Sequence, residues 1–394
     1  MNGPARRPQA GAWQTTEQVL HATRRKVYNR HVGGVFARWR VALVLFTQAV
    51  FYGLPWLRWQ GRQAVLFDLV QRRVDCFGLS LATHDLALLV LPLLIAGYAL
   101  FLFTAIAGRL FCGYACPQTV YTEVFMWIEQ WVEGDRLARI RLDSQPPNLR
   151  KFARKILKHA LWLALALWTG LTFVGYFTPV RALVAALPHG QAHGWQLFWI
   201  AFYGLATYGN AGFLREQVCK HLCPYARLQP RMFDADTVSV RYDAARGEPR
   251  GMRRRDLSAR AQGRGDCVDC SICVQVCPTG IDIREGPQYL CIDCAACIDA
   301  CDQVMVSLQS PRGLIRHVSA AGLENRWGWR EQGARLLRPR ILVHAALLLV
   351  LVGVFGAELA RHGVTQPRAA GGPGIASTAP AAAAVAPRAP RGNG

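Results

Sequence analysis

Two cysteine-rich runs, GDCVDCSICVQVCP at residues 265–278 and LCIDCAACIDACD at residues 290–302, decide the interpretation of the whole chain. The first run has the spacing C-x2-C-x2-C-x3-C-P, with Cys267, Cys270, Cys273 and Cys277. The second run repeats the spacing without the final proline, with Cys291, Cys294, Cys297 and Cys301. Three cysteines within seven residues can surround three corners of a cubane cluster, with backbone N–H groups turned toward the sulfurs. The runs therefore predict two [4Fe-4S] clusters.

The fourth ligand of each cluster is expected from the other run, as in two-cluster domains with this spacing. One cluster is then held by Cys267, Cys270, Cys273 and Cys301. The other is held by Cys291, Cys294, Cys297 and Cys277. Residues 281–289, which contain Gly286-Pro287, predict a short hairpin that joins the two halves of a ferredoxin-like domain.

Zinc and disulfide bonds are the alternative uses of so many cysteines. Structural zinc takes well-separated cysteine pairs, so two adjacent triplets with a trailing cysteine suit it poorly. Disulfide bonds need an oxidising compartment, whereas the topology argued below places both runs in the cytoplasm. The spacing therefore favours iron–sulfur clusters.

The composition indicates that part of the chain lies in lipid. The 394 residues are 52% hydrophobic and include 12 Trp and 17 Phe. Five apolar runs approach the ~20 residues that cross a bilayer core, at residues 41–57, 86–107, 159–178, 195–214 and 341–359. The fourth run contains Tyr208-Gly-Asn210, and a buried interior helix would show the same pattern. No apolar signal segment follows Arg6-Arg7 within residues 1–40, so export of the whole protein is not expected.

The formal net charge of +21 is distributed as membrane topology requires. Lys and Arg number eight in residues 1–40, eight in 109–155 and twenty in 215–340, against four in 58–84 and one in 179–194. The positive-inside rule then predicts five spans, with the N terminus and both cysteine runs in the cytoplasm. Residues 59–73 are predicted to form an amphipathic helix in the interface on the outer side. Nucleic-acid binding, nucleotide-dependent chemistry and hydrolysis are not expected, because no motif for them is present.

Two further cysteine pairs share the motif C-x3-C-P: Cys112 with Cys116 after the second span, and Cys219 with Cys223 after the fourth. The offset of 107 residues between the pairs indicates an internal repeat of two spans and a thiol pair. Residues i and i+4 of a helix share one face, so each pair is predicted to direct two sulfurs to one point. If the repeats face each other, four thiolates meet at the membrane surface.

These four cysteines could instead be small buried hydrophobic side chains. Against that, nearby basic residues would favour the thiolate form: Arg109, Arg215, Lys220 and Arg227. Soft thiolates select Cu(I), zinc or the iron of iron–sulfur clusters. His221 lies off the face of the second pair and is a weaker candidate ligand, and the lone Cys76 is interpreted as structural.

Five stretches of the chain resemble the FixG/CcoG/RdxA family: CGYACPQTVYTEVFMWIE at 112–129, REQVCKHLCPYAR at 215–227, YDAARGEPRG at 242–251, ACDQVM at 300–305 and PRGLIR at 311–316. The likeness runs from about residue 35 to residue 360. Members of this family are membrane-bound polyferredoxins that assist the assembly of cbb3-type cytochrome c oxidase. The resemblance implies a cupric reductase that passes electrons through two clusters to reduce Cu(II) to Cu(I), with the eight cluster cysteines and both C-x3-C-P pairs as its functional residues.

Two other functions stay open beside the cupric reductase. The chain also resembles the NapH-type membrane ferredoxins, which oxidise quinol and conduct its electrons. The second alternative is a non-enzymatic copper chaperone or assembly scaffold whose thiols only hold Cu(I). The resemblance implies copper ions and oxidase assembly factors as partners, with an electron donor that the sequence does not identify.

The expected fold is an α-helical integral membrane protein of the bacterial inner membrane, with about five transmembrane helices and an inserted α+β ferredoxin-like domain. The predicted order is a basic arm (1–40), a four-span membrane domain (41–214), a cytoplasmic linker (215–264), the two-cluster domain (265–316), a basic linker (317–340), a fifth span (341–359) and an external tail (360–394). Family members typically continue into an immunoglobulin-like outer domain. Here residues 361–394 are rich in Ala, Pro and Gly, which predicts a disordered tail.

Overall fold

The computed structural model describes residues 27–82, 86–252 and 262–365. These ranges contain both cysteine runs, both C-x3-C-P motifs and all five predicted spans. Most of the predicted basic arm and residues 366–394 of the predicted disordered tail lie outside the described residues.

Helices and strands follow one another in three groups. The first group is α1 (Val35–Gly53), a 3-10 turn (Leu54–Trp56), β1 (Arg58–Trp59), β2 (Arg62–Gln63), β3 (Val65–Asp68), β4 (Arg73–Cys76), β5 (Leu79–Ala82) and α2 (Leu86–Ala107). The second is α3 (Leu110–Tyr114), α4 (Pro117–Glu133), α5 (Arg136–Ser144), α6 (Leu149–Val174), α7 (Val180–Ala186), α8 (Gly194–Thr207) and two π-helical segments (Tyr208–Leu214 and Val218–Leu222). The third is α9 (Pro224–Leu228), a 3-10 turn (Gln229–Arg231), β6 (Ser239–Tyr242), α10 (Ala244–Gly247), α11 (Ile272–Gln275), a 3-10 turn (Ile283–Glu285), α12 (Ala296–Ser307), β7 (Ile315–Val318), α13 (Ala320–Glu324), α14 (Trp329–Ala334), a 3-10 turn (Arg335–Leu337) and α15 (Pro339–Thr365).

Four helices of the described residues are long and apolar enough to cross a bilayer, over Val35–Trp56, Ala87–Ala107, Leu149–Val174 and Pro339–Arg361. They coincide with four of the five predicted spans. Large apolar side chains on them face outward: Phe46 is 65% exposed, Leu93 75% and Leu349 71%. Such side chains would be unfavourable in water and are favourable in lipid. The chain is therefore a multi-pass membrane protein.

The remaining predicted span, residues 195–214, has a different structure. It consists of α8 followed without a break by the first π-helical segment, and it is not among the four long apolar α-helices. It packs antiparallel to α6, because Tyr208 Oη lies 2.9 Å from His159 Nδ1 near one end. At the other end Gly170 allows close approach, since a Cβ there would lie 2.3 Å from the Ile200 carbonyl oxygen. The segment therefore carries the chain back along α6 to the side where α6 begins.

A buried group of charges joins α4, α5, α6 and the π-helical segments. Glu129 Oε2 accepts hydrogen bonds from Arg139 at 2.9 Å and from Arg215 at 3.1 Å, and Lys158 Nζ lies 3.8 Å from Glu129 Oε1. Burial alone would raise the pKa of Glu129, but the three cations lower it overall, so the carboxylate is ionised. Arg215 has φ 39°, a left-handed conformation that is strained for a residue with a Cβ. The Glu129 contact holds this strained residue four positions before Cys219.

The prediction of an interfacial helix at residues 59–73 is wrong, because two small antiparallel sheets connect α1 to α2. β1 pairs with β2, and β3, β4 and β5 form a three-stranded sheet. Asp68 ends β3 and closes a turn by accepting the N–H groups of Val70 at 3.0 Å and Gln71 at 2.8 Å. Short apolar runs fit a helix or a strand equally well, and here the turn residues decide between them. Gln63 on β2 attaches the two-stranded sheet to the C-terminal end of α6, because its side chain donates a hydrogen bond to the Gly175 carbonyl oxygen at 2.7 Å.

The two cysteine runs lie on an α/β unit built on a two-stranded sheet. β6 pairs antiparallel with β7, and Val240 stands opposite His317. Because β6 is one of its two strands, the unit includes part of the segment that the sequence predicted to be a linker. The hairpin predicted at residues 281–289 is wrong, because the chain forms a 3-10 turn there. Asp282 caps that turn by accepting the Arg284 N–H at 3.0 Å, and the Arg284 guanidinium pairs with the same carboxylate at 2.6 Å.

The α/β unit is attached directly to the first membrane helix. Asp299 on α12 accepts the backbone N–H groups of Phe36 at 3.3 Å and Ala37 at 2.7 Å. These donors belong to the first turn of α1, which has no acidic residue and no side-chain cap of its own. A Cβ on Gly34 would overlap the Asp299 carboxylate, at 2.1 Å from Cγ. The helix start and the cluster unit therefore form one contact.

Candidate functional site

The first cysteine run and one cysteine of the second line a common cavity. Its lining includes Cys267, Cys270, Cys273 and Cys301, which is the set predicted for one cluster. The remaining lining is largely apolar and includes Met305 of α12 and Leu314, both 1% exposed. Four sulfurs from separate elements therefore face one space.

A second cavity lies beside the first. Its lining includes the other predicted set, Cys277, Cys291, Cys294 and Cys297. Cys273 lines both cavities, so the two spaces are adjacent. In each case one cysteine comes from the opposite run, as the spacing leads one to expect.

The two loops that carry the cysteine triplets have the same backbone conformation. Asp269 and Ser271 of the first run have φ 56°, and Asp293 and Ala295 of the second have φ 53° and 58°. Successive residues that alternate around the left-handed region turn their N–H groups to one side and form a concavity that favours anions. Such N–H groups are the donors that the sulfurs of an anionic cluster require. Ser271 and Ala295 then begin α11 and α12 as left-handed N-cap residues.

The thiol chemistry also fits iron–sulfur clusters. Burial raises the pKa of Cys273 to about 12 and that of Cys294 to about 11. Metal ligation takes the place of the thiol proton, so iron removes the cost of burying a thiolate there. Among the described residues, no three His, Cys, Asp or Glu side chains converge closely enough to hold a single metal ion. A four-iron cluster needs sulfurs spread around a larger body than a single zinc ion does.

Each C-x3-C-P pair is divided between two helical elements. Cys112 lies on α3 and Cys219 on the second π-helical segment. Cys116 and Cys223 are the N-cap residues of α4 and α9, with extended backbones of φ −62°, ψ 128° and φ −79°, ψ 109°. A following proline excludes the helical conformation at these positions. The prediction that both members of a pair share one face of a single helix is therefore wrong.

The structure nevertheless brings the two pairs together. Burial raises the pKa of Cys219 to about 12, and the neighbouring Cys116, Cys112 and Cys223 add to the shift. Such mutual electrostatic effects require the thiols to lie close to one another. Burial also raises the pKa of Cys112 to about 11, which Arg109 offsets only in part. Arg109 favours the thiolate, as expected, but burial outweighs this effect, and a soft metal would have to displace the proton.

Gln229 is a site residue that the sequence did not indicate. It is completely buried, and its Nε2 donates to Cys112 Sγ at 3.3 Å. It lies in the 3-10 turn after α9 and so connects the first pair to the element that Cys223 caps. No motif or spacing marks a single glutamine for this position.

The first thiol pair packs against the loop of the second cavity. A Cβ on Gly113 would lie 2.6 Å from the Ile292 carbonyl oxygen and 2.9 Å from Cys294 Cα. Glycine is therefore required for the backbones to approach this closely. Cys112 packs against the apolar group that contains Ile292 and Cys294, and Cys219 lines a third cavity together with Cys294. Both thiol pairs thus border the second cysteine set rather than the first.

Arg109 joins three parts of the site. Its backbone N–H donates to Asp293 Oδ2 at 2.9 Å, and its guanidinium donates to the carbonyl oxygen of Ala226 at 2.9 Å and to that of Tyr289. Arg109 is 5% exposed and Asp293 3% exposed. Asp293 also accepts the Val240 N–H at 3.0 Å. These buried hydrogen bonds hold the second cysteine loop against both thiol motifs.

Two other candidates are separate from this centre. His221 is exposed, and its carbonyl oxygen accepts from Arg227 at 2.9 Å. Cys76 is exposed at the end of β4 in the sheet between α1 and α2. Neither contacts the cavities described above.

Two family profiles match the chain. A 4Fe-4S dicluster domain matches residues 214–320, which include both cysteine runs and the second C-x3-C-P pair. A 4Fe-4S binding domain matches residues 88–134, which include the first C-x3-C-P pair but neither cysteine run. The match to a dicluster domain agrees with the iron–sulfur cofactor predicted from the spacing.

Three curated proteins are similar over most of the chain. Protein RdxB of Cereibacter sphaeroides is 41% identical over 358 residues, which cover 86% of this chain and 74% of the relative. Protein RdxA of the same organism is 42% identical over 346 residues, 84% of this chain and 71% of the relative. The nitrogen fixation protein FixG of Rhizobium meliloti is 41% identical over 305 residues, 76% of this chain and 58% of the relative. No solved structure matches the chain.

Proposed function

This chain belongs to the FixG/RdxA family of 4Fe-4S proteins, and from that premise we propose that it reduces Cu(II) to Cu(I) at its paired C-x3-C-P thiols. Its coarser role follows from the family and the dicluster match: it is a membrane-bound iron–sulfur protein of electron transfer. The Cu(I) would serve the assembly of a cbb3-type cytochrome c oxidase, as the resemblance to the FixG/CcoG/RdxA family implies.

The proposal assigns one cluster to Cys267, Cys270, Cys273 and Cys301, and the other to Cys277, Cys291, Cys294 and Cys297. The two cavities and the two matching loop conformations support this division. Bound clusters would supply single electrons. The protein contributes the inward N–H groups of both loops, the apolar lining and the Arg109–Asp293 pair, all of which set the potential of what they surround.

The observation that carries the copper proposal is the contact of Gly113 with Ile292 and Cys294. It places the thiols of one motif directly beside the predicted ligands of the second cluster. Thiolates are soft ligands that stabilise Cu(I) relative to Cu(II), so copper bound at a C-x3-C-P thiol pair is reduced more easily than copper in water. Each Cu(II) gains one electron and each reduced cluster loses one, while the thiols lose their protons on binding the metal. Gln229 orients Cys112 for that contact.

Anaerobic copper reduction tests this function. Dithionite-reduced protein, freed of excess dithionite, is mixed with Cu(II) in the presence of a Cu(I)-selective chelator. We expect about two Cu(I) per chain in a single turnover, one for each reduced cluster. Protein that retains reduced clusters in the presence of Cu(II), yet is reduced rapidly by a quinol, would be a quinol-oxidising conduit instead.

A third cluster on the four C-x3-C-P thiols is the second candidate. It is favoured by the match of residues 88–134, which contain Cys112 and Cys116, to a 4Fe-4S binding domain. The raised pKa values of Cys112 and Cys219 suit any metal that displaces a thiol proton, iron as well as copper. The iron content of anaerobically purified protein separates the two candidates.

We expect about eight iron and eight acid-labile sulfide atoms per chain, with the EPR signals of two interacting S = 1/2 centres after reduction. Because Cys301 lines only the first cavity, the Cys301→Ser variant should lose most of one signal and keep much of the other. About twelve iron atoms per chain would place a third cluster at the thiol pairs, and stoichiometric zinc would contradict the cluster assignment altogether.

We further propose that the chain crosses the membrane five times, with both thiol pairs and the cysteine runs in the cytoplasm. α8 and its π-helical continuation supply the crossing between α6 and Cys219. Reporters fused after Asp135 and after Asp236 should be active only as cytoplasmic reporters, and one fused after Gly190 only as an external reporter. The same side for Gly190 and Asp236 would remove the fourth crossing and leave an even number of spans.

A further inference from the structure

The two cysteine sets differ in their access to water. Cys270 of the first set is exposed, and Val268 and Asp269 beside it are also accessible. In the second set Cys294 is buried, and its neighbours Ile292, Asp293 and Ala295 are buried as well. The first set therefore has an edge at the surface, whereas no cysteine of the second set is exposed: Cys294 is buried and the other three are half-buried.

What encloses the second set is the membrane part of the chain. Gly113 packs on Cys294, Arg109 binds Asp293, and Cys219 shares a cavity with Cys294. Since Cys273 lines both cavities, electrons can enter at the surface edge of the first cluster and leave toward the thiols from the second. The Cys270 edge lies on the side of the unit that these contacts leave open.

Two described parts of a basic stretch of sequence, residues 246–252 and 262–264, lie beside that open edge. Between Arg246 and Arg264 the sequence has seven arginines and two acidic residues. The described part of this segment before residue 253 is hydrogen-bonded to the first run: the Gly251 N–H donates to the Cys267 carbonyl oxygen at 3.0 Å, and the Cys267 N–H donates to that of Gly247 at 3.4 Å. Residues 253–261 lie outside the described residues.

Among the described residues close to Cys270, two acidic groups are paired with arginines and two cations have no acidic partner. Asp269 pairs with Arg284 at 2.5 Å, and Asp266 pairs with Arg246 at 2.5 Å. Arg264 and Arg312 are exposed and have no acidic partner within the described residues. Arg312 lies in the same region, because its carbonyl oxygen accepts a hydrogen bond from Arg246 at 2.9 Å.

A large apolar side chain stands among these cations. Met252 is 87% exposed, next to the Gly251 that binds Cys267. Flexible methionine side chains that are surrounded by charged groups are typical of adaptable docking surfaces. We name as the entry face the surface formed by Cys270, Arg250, Met252, Arg264 and Arg312.

We propose that an acidic, water-soluble one-electron carrier protein docks on the entry face and reduces the first cluster. The carrier loses one electron and the cluster gains one, with no bond made or broken and no proton required. Positive charge at the face steers an acidic partner and orients it toward Cys270. A quinol would approach from lipid, on the side where the membrane part encloses the second set. The proposal depends on the cluster assignment made above and not on copper.

Binding of flavodoxin, a small acidic flavin protein, tests the entry face. We expect the Arg264→Glu/Arg312→Glu variant to bind oxidised flavodoxin at least about tenfold more weakly than wild type at low salt. The difference should vanish near 1 M salt, where the Debye length is about 3 Å. The rate of cluster reduction by flavodoxin hydroquinone should fall in parallel. Reduction by reduced methyl viologen, a small cation, should not fall.

Arg326→Glu is the matched control, since Arg326 is an exposed cation that lines neither cavity. It should bind flavodoxin as the wild type does. Equal affinity of wild type and the double variant at low salt would overturn the proposal, and so would an equal loss in the control. Rapid cluster reduction by a quinol analogue, without flavodoxin binding, would also overturn it in favour of donation from lipid. A failed copper assay with normal flavodoxin binding would count against the copper function alone.

Discussion

We expect the Cys112→Ser/Cys116→Ser variant and the Cys219→Ser/Cys223→Ser variant each to lose copper reduction while the EPR signals of both clusters persist. Serine keeps the size of cysteine but replaces a soft ligand with a hard, weakly acidic hydroxyl, so Cu(I) loses the preference that drives its formation. The cluster signals persist because the C-x3-C-P cysteines do not line the first or second cavity. Cu(I) formation after dithionite reduction, followed with a selective chelator, measures the effect.

Cys76→Ser is the matched control, because Cys76 is a free thiol on the sheet between α1 and α2. It should reduce copper at the wild-type rate, which excludes a general effect of removing a thiol. If either double variant reduces copper at that rate as well, the paired thiols are not the copper site and the quinol-conduit function becomes the better explanation. If a double variant instead loses about a third of its iron, the pairs hold a cluster.

The cysteine runs could be interpreted from the sequence because their chemistry is local. Three ligands within seven residues leave few alternatives to a cluster, and the conformation of each loop is determined by the cluster and by residues such as Asp269 and Asp293 inside the run. The long apolar helices could also be predicted from the sequence, since a helix that crosses a bilayer needs about 20 apolar residues in succession whatever surrounds it.

The contacts that assemble the site could not be predicted from the sequence in the same way. Gln229 and Cys112 are hydrogen-bonded although more than a hundred residues separate them in the sequence, and the same holds for Arg109 and Asp293. A single glutamine, arginine or aspartate carries no periodicity, and its partner is decided only when distant elements pack. The C-x3-C-P pairs are intermediate: the motif was visible, but the proline that follows each pair divides it between two elements.

The two wrong predictions of secondary structure have one cause. At residues 59–73 and 281–289 an apolar or glycine–proline pattern was compatible with more than one structure, and side-chain hydrogen bonds decided the outcome. Asp68 closes a turn between two strands in the first case. In the second, Asp282 and Arg284 bind each other and stabilise a 3-10 turn. Such hydrogen bonds depend on one aspartate each, which window-averaged patterns do not detect.

The Gly113→Ala variant should reduce copper roughly 100-fold more slowly than wild type, because a displacement of about 1 Å in a reacting pair has an effect of that order. The new Cβ would lie 2.6 Å from the Ile292 carbonyl oxygen and 2.9 Å from Cys294 Cα, and neither backbone atom can rotate away. The α3 turn that carries Cys112 must therefore separate from the second cysteine loop. Single-turnover mixing of the reduced protein with Cu(II) measures the rate.

Gly97→Ala in α2 is the matched control, since no atom lies within 4 Å of a Cβ at that position. Both substitutions add one methyl group to a helical glycine, so intrinsic helix propensity changes in the same direction. Iron content and the reduction of the clusters by dithionite should equal those of wild type in both variants, because all eight cluster cysteines are present. If Gly113→Ala transfers electrons to copper at the wild-type rate, the packing of this turn on Cys294 is not the electron route, and the path through the Cys219 cavity has to carry it.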